Sequence, residues 1–133
     1  MSKAVKITSQ KKKSRLQKKA DALYQKIGSK MYDKCLLYGH NDNCGRDYSC
    51  LHHYYPKSTC SALRYNFDNG IPICVKCHCR IHSSDDPTLN NKIRDIKGEE
   101  WLKGLEDIKK NTFIKSTIGY YESVIEELKK LDK

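Results

Sequence analysis

Apolar residues recur at helical spacing near the start of the chain, with lysines between them. At steps of three and four they are Leu16, Ala20, Leu23, Ile27 and Met31. This spacing places them on one face of a helix, for which Ser14 is a suitable N-cap. The pattern therefore predicts an amphipathic basic helix over residues 14–34. Residues 1–13 are polar and rich in lysine, which predicts a disordered basic arm.

Three shorter helical patterns occupy the last third of the chain, which predicts a C-terminal helical extension over residues 85–133. Their apolar positions are Leu89, Ile93 and Ile96, then Trp101, Leu105 and Ile108, then Tyr121, Ile125, Leu128 and Leu131. Pro87 follows two aspartates and is typical of a helix start. The second helix is predicted over residues 99–110 and the third over residues 118–131, with Trp101 as a core anchor.

The middle of the chain has the short apolar runs and turn residues of a small sheet. Residues 47–53 predict one strand and residues 71–74 a second, with the turn dipeptide Asn69-Gly70 before it. A short helix is predicted over residues 77–82. The expected fold class is therefore α+β, with a small core flanked by helices.

Charge is concentrated at one end of the chain. The formal net charge is +10 over 133 residues, and residues 1–34 contain eleven Lys and Arg against two Asp. Such an arm commonly follows the phosphate backbone of nucleic acids, with Lys11, Lys12 and Lys13 as its densest cluster. The same charges are also compatible with a solvated leader that binds nothing. A charged fraction of 32% argues against a large core and favours one compact domain with extensions.

The chain has seven cysteines, no apolar signal segment and no run of 18 apolar residues. An odd number of thiols in such a chain favours metal ligands over a disulfide framework. We therefore expect a protein of the reducing cytoplasm that does not enter a membrane. Cys74 and Cys77 form a Cys-x-x-Cys pair, which is a common spacing for zinc ligands.

Four histidines lie close to this pair in the sequence. His78 and His82 are four residues apart, so on a helix both imidazoles project from one face and can share a metal ion. His52 and His53 are adjacent, so on a strand they point to opposite sides. One of the two can bind the metal while the other does different chemistry.

The combined pattern resembles the HNH, or ββα-metal, nuclease motif. His52 and His53 match its paired position, Asn69 its central asparagine, and His78 and His82 its helical histidines. The resemblance implies a zinc-stabilised ββα-metal core over residues 35–84 and cleavage of phosphodiester bonds. It implies that His52, His78 and His82 bind a catalytic divalent ion, which for these ligands is Mg, Mn, Ni or Zn. His53 would be the general base, and Asn69 would orient His53 or brace the loop.

The same resemblance implies a structural zinc site. Cys74 and Cys77 match the zinc knuckle of many members, and a second cysteine pair often stands before the hairpin. The expected ligands are Cys35, Cys44, Cys74 and Cys77, although the eight residues between the first two depart from the usual spacing. His40 or Cys50 could replace one of them. Cys60 and Cys79 are left as ordinary thiols.

The order of elements along most of the chain resembles the phage NinG (Rap) recombination nucleases. It includes Leu-Arg-Tyr-Asn-x-Asp-Asn before the Cys-x-x-Cys and Gly-Glu-Glu-Trp-Leu after it. The resemblance implies an enzyme that cleaves branched DNA in the cytoplasm of a bacterial host. At His78 the chain departs from that pattern, which tends to have asparagine after the second cysteine. Lys57 and Arg64 are candidate phosphate clamps or plain loop charges.

Two alternatives stay open. One is a non-catalytic zinc-binding module that binds nucleic acid. The other is a nuclease on the same scaffold that is directed at RNA or acts as a toxin.

Overall fold

A long N-terminal helix, a two-stranded sheet and four further helices make up the chain in the computed structural model, which describes residues 2–40, 43–83 and 88–132. The elements are α1 (Ser2–Met31), β1 (Cys50–His53), β2 (Gly70–Ile73), α2 (Val75–Ser83), α3 (Thr88–Lys97), α4 (Glu99–Asn111) and α5 (Ile118–Leu131). The predicted α+β class is confirmed. The helix start predicted at residues 85–87 lies outside the described residues.

Helix α1 is longer at its start than the apolar pattern predicted. It begins at Ser2 rather than Ser14 and ends at Met31, so it includes residues 2–13, which were predicted as a disordered arm. The physical reason is composition, since lysine, alanine and glutamine have high helix propensity and no glycine or proline interrupts these residues.

The buried face of α1 is also rotated slightly from the prediction. Ala20, Tyr24 and Ile27 are buried, while Met31 is 49% exposed. Tyr24 was not in the predicted stripe, which used Leu23, although Tyr24 also lies at steps of four and three between Ala20 and Ile27.

The described chain divides into two compact units, residues 1–27 with 114–133 and residues 28–113. In the first unit α5 lies beside α1, since Gln17 Nε2 donates to Tyr121 Oη at 3.0 Å and Lys26 forms an ion pair with Asp132 at 3.0 Å. The helices predicted over residues 85–133 are therefore divided between the two units. Helices α3 and α4 belong to the second unit, while α5 belongs to the first.

The second unit is built on an antiparallel hairpin followed by α2. Its register pairs Cys50 with Ile73 and His53 with Gly70. Strand β1 is shorter than predicted, because residues 47–49 form only an isolated bridge and separate backbone bonds before it begins. Strand β2 keeps its predicted length of four residues but starts one residue earlier. Ile71 and Ile73 are fully buried and pack with α3 residues Leu89 and Ile93. One face of the sheet is thus covered, and α2 leaves it directly from the end of β2.

Residues 54–69 connect the strands and carry a second, smaller core. It contains Cys60 and Leu63 of the connection with Leu105 of α4. Trp101 packs against both cores, and its Nε1 donates to the carbonyl oxygen of Asp68 at 2.7 Å. Its predicted anchoring role is confirmed. No helix among the residues described here is long and apolar enough to cross a bilayer.

The end of α1 passes so close to β1 that only glycine fits at position 28. A Cβ there would lie 2.5 Å from Leu51 Cδ1 and 2.8 Å from Tyr48 Oη. We expect Gly28→Ala to destabilise the protein by about 1–3 kcal/mol, because buried Leu51 must move. Gly104→Ala is the matched control, since a Cβ at that helical position meets nothing within 4 Å. It should stabilise by about 0.5–1 kcal/mol. Urea unfolding measures both, and equal effects of the two substitutions would contradict the close approach.

Candidate metal centres

Four cysteine sulfurs come together at the base of the hairpin. The Sγ atoms of Cys35, Cys44, Cys74 and Cys77 all lie within 4.8 Å of one another. Cys44 Sγ and Cys74 Sγ are 3.8 Å apart. Sulfurs bound tetrahedrally to zinc at about 2.3 Å are separated by about 3.8 Å, so the group has the dimensions of a structural zinc site. These four residues can therefore bind a structural metal ion such as zinc.

Separate elements of the chain deliver the four ligands. Cys35 follows α1 and donates its N–H to the carbonyl oxygen of Arg46 at 2.8 Å, which closes the loop that contains Cys44. Cys74 follows β2, and Cys77 lies in the first turn of α2. A metal ion here would tie the loop, the sheet and the helix together.

Backbone N–H groups point at the sulfurs. Gly45 and Cys77 donate to Cys74 Sγ at 3.2 and 3.3 Å, and Arg46 donates to Cys44 Sγ at 3.3 Å. Arg46 reaches this position with φ of 75°, which is unusual for a residue with a side chain. These donors favour the thiolate form that a metal requires.

Two of these thiols have pKa values that are shifted in opposite directions. Burial opposes ionisation of Cys74, but the N–H groups of Cys77 and Gly45 and the neighbouring thiols outweigh it and lower the pKa of Cys74 to about 7. Burial is the main cause that raises the pKa of Cys35 to about 11. Of these two thiols, Cys74 is therefore the one that ionises more readily.

The two substitutes left open by the sequence are not in this group. His40 is exposed in the loop, and Cys50 lies against His78 instead. Cys60 is buried in the second core, and Cys79 is exposed on α2. The predicted four-cysteine set thus forms one cluster in the structure.

Three histidines form a second group on the hairpin and α2. Their ring nitrogens, one each from His52, His78 and His82, lie within 4.8 Å of one another. The Nε2 atoms of His78 and His82 are 2.8 Å apart, and the His52 ring lies edge-on to both. His78 and His82 lie close together because they are four residues apart on one face of α2, as the sequence predicted.

Burial keeps the two inner rings neutral. Desolvation and the neighbouring histidines lower the pKa of His52 to about 4, and desolvation followed by the charge of His82 lowers that of His78. His52 is only 8% exposed. A neutral imidazole has the lone pair that coordination requires, so these rings need lose no proton near pH 7 to bind an ion.

His53 lies next to this group but takes a different environment. It is half-buried opposite Gly70 at the end of β1, and its Nε2 lies 2.9 Å from the carbonyl oxygen of Arg64. Because a carbonyl only accepts, Nε2 donates, and in the neutral ring Nδ1 carries the lone pair. This contact was not predicted, since sequence spacing does not reveal which carbonyl meets the ring.

Asn69 is fully buried and holds the connection between the strands. Its Oδ1 accepts from the N–H of Tyr55 at 2.9 Å, while its Nδ2 donates to the carbonyl oxygens of Tyr55 at 3.0 Å and Leu63 at 3.3 Å. Of the two roles predicted for Asn69, these bonds correspond to bracing the loop. The brace holds residues 63–69 beside the end of β1, where Arg64 meets His53.

The predicted phosphate-contacting residues are dispersed. Lys57 is exposed in the connection, and the Arg64 guanidinium lies 5.8 Å from the Tyr65 ring centroid. Lys11, Lys12 and Lys13 are exposed on α1. Each unit thus has basic side chains accessible to a polyanion.

Comparisons of this chain with protein-family models, with curated proteins and with solved structures gave no match.

Proposed function

We propose that this protein is a metal-dependent endonuclease of the HNH kind that hydrolyses DNA phosphodiester bonds. One observation carries the proposal: three imidazoles converge within 4.8 Å, beside a fourth that a backbone carbonyl orients. A purely structural site needs only the first three. The fourth, on His53, adds a base next to a place where an ion can bind.

The histidine group fits a divalent ion. Ligand nitrogens at about 2.0–2.1 Å from an ion are separated by about 2.8–3.0 Å when they occupy adjacent positions of an octahedron. The His78–His82 distance of 2.8 Å falls in that range. Three imidazoles leave further coordination positions for water and a phosphate oxygen, which is the arrangement of a catalytic site rather than a closed structural one.

The chemistry divides between the bound ion and the side chains. An ion at this site would polarise the scissile phosphate and neutralise the leaving oxygen. His53 takes the proton of the attacking water at Nδ1, while its Nε2–H stays on the Arg64 carbonyl. That hydrogen bond fixes the ring and stabilises the imidazolium that forms. Asn69 acts indirectly, because it holds the segment that contains Arg64.

Plasmid nicking with and without EDTA tests the proposal. We expect nicking that EDTA abolishes and that added Mg²⁺ or Mn²⁺ restores. Linear duplex, single-stranded and branched DNA digested in parallel, together with RNA, then identify the substrate. Preference for branched DNA would support a recombination nuclease of the NinG kind, and preference for RNA would support the toxin-like alternative. Binding without cleavage of any substrate at any metal concentration would contradict the proposed nuclease and support the non-catalytic nucleic-acid-binding module.

The lysine cluster of α1 supports nucleic-acid binding and gives a separate prediction. Lys11→Ala, Lys12→Ala and Lys13→Ala combined should weaken DNA binding and flatten its salt dependence. Each phosphate that these lysines no longer neutralise should reduce the slope of log K against log salt by about 0.9. A triple control removes equal charge from exposed lysines elsewhere, namely Lys103, Lys115 and Lys129. Fluorescence anisotropy across a salt series measures the slopes, and the α1 triple variant should have a flatter slope than the control. Equal slopes would show that α1 contributes only net charge.

A further inference from the structure

The thiol of Cys50 does not belong to the four-cysteine cluster, and it lies against the histidine group. It is half-buried on β1, two residues before His52, and its Sγ is 3.4 Å from His78 Nδ1. Residues two apart on a strand share a face, so Cys50 and His52 approach α2 from the same side. His78 is therefore contacted at both ring nitrogens, by Cys50 at Nδ1 and by His82 at Nε2.

The contact restricts the tautomer of His78. A nitrogen that coordinates a metal must lack a proton, so a neutral His78 that binds through Nε2 carries its proton at Nδ1. The atom next to Nδ1 is the Cys50 sulfur, which is a weak acceptor. In the absence of an ion the same tautomer leaves His78 Nε2 to accept from His82 Nε2–H. One arrangement of protons thus satisfies both short contacts.

We propose that Cys50 is a positioning residue, which accepts a hydrogen bond from His78 Nδ1–H and holds that imidazole in the tautomer and orientation needed to coordinate an ion through Nε2. The inference rests on the proposed function only in requiring that the three histidines bind an ion. Histidine ligands commonly donate their second N–H to an oxygen acceptor. Here a sulfur of the adjacent strand takes that place.

The backbone around His78 strengthens the assignment. Its N–H donates to the carbonyl oxygen of Cys74 at 3.0 Å, so the backbone of His78 is hydrogen-bonded to a residue of the four-cysteine cluster. Cys50 is paired in register with Ile73, which directly precedes Cys74. The sulfur is consequently fixed relative to the same backbone that fixes the ring, and a small movement of either would break the contact.

Metal titration of the zinc-loaded full chain tests the inference without using cleavage. Co²⁺ is the probe, and its visible absorption reports binding at the histidines. We expect Cys50→Val, which fills the space but offers no acceptor, to weaken Co²⁺ binding about 10–100-fold. Cys50→Ser retains an acceptor and should stay within a few-fold of the unmodified protein. Cys79→Val removes an exposed thiol of α2 and should leave the affinity unchanged.

Nitrogen NMR of the metal-free protein with labelled histidine gives a second readout, which a loss of packing alone would not move. His78 should be protonated at Nδ1 in the unmodified protein and in Cys50→Ser, and should shift toward Nε2–H in Cys50→Val. Unchanged affinity or an unchanged tautomer in Cys50→Val would overturn the inference, as would equal effects of the Ser and Val substitutions. A chain that binds Co²⁺ as expected but cuts nothing would instead contradict the proposed nuclease and leave the role of Cys50 intact.

Discussion

Replacing His53 with alanine is expected to lower the rate of DNA nicking by roughly 10²–10⁴-fold, the usual contribution of general-base catalysis. The reason is the geometry of β1. Adjacent strand residues face opposite sides, so His52 joins His78 and His82 while His53 turns to the Arg64 carbonyl. Replacing His53 would therefore remove the proposed base and leave the three histidines of the proposed metal site in place.

Folding, DNA affinity and metal content should be nearly unchanged in this variant. Circular dichroism, anisotropy and native mass spectrometry measure the three properties. His40→Ala is the matched control, because His40 is exposed in the loop and belongs to neither metal group. It should nick at the rate of the unmodified protein. Nicking by His53→Ala at that rate would show that His53 is not the base.

The second large effect is expected at the zinc cluster. Cys77→Ser should release the ion and unfold the second unit together, because Cys77 is fully buried and belongs to the main core. Structural zinc contributes on the order of 10 kcal/mol to small zinc domains, which is comparable to the whole stability of a typical domain. Helix α2 begins between Cys74 and Cys77 and carries His78 and His82, so the histidine site should be lost as well.

Cys79→Ser is the matched control on the same helix, since its thiol is exposed and outside the cluster. It should retain one zinc per chain and the unfolding midpoint of the unmodified protein. Zinc content by mass spectrometry and thermal unfolding by circular dichroism give both quantities. A Cys77→Ser protein that stays fully folded without zinc would contradict the structural role assigned to the cluster.

Local patterns in the sequence predicted those parts of the protein that local geometry determines. The apolar period from Ile118 to Leu131 matches α5 at both ends, and helix α4 differs by one residue from its predicted end. The meeting of His78 and His82 follows from their helical spacing, and the four cysteines were predicted from the resemblance to the HNH motif.

Contacts between distant residues were not predictable in this way. Nothing in the sequence indicates that α5 groups with α1 while α3 and α4 pack on the hairpin, because all three are amphipathic helices of similar length. The partner of His53 is a backbone carbonyl, which has no sequence signature. Cys50 was considered only as a substitute zinc ligand, although it lies two residues before His52 and so shares the face of the strand that meets His78. Residues 1–13 were predicted to be disordered because they are polar and rich in lysine. The helix propensity of residues 2–13 favours the helix that forms.

The rate of plasmid nicking against Mn²⁺ concentration, for the unmodified chain, His53→Ala and His82→Ala, tests the central claim most directly. His82 is one of three ligands in the proposed site, so its loss should weaken metal binding and shift the curve to higher Mn²⁺, with activity partly restored at excess metal. His53→Ala should stay roughly 10²–10⁴-fold slower at every concentration, because the proposed base is missing while the three histidines of the proposed metal site remain. A His53→Ala protein that added metal rescues, beside a His82→Ala protein that nicks normally at low metal, would contradict the account.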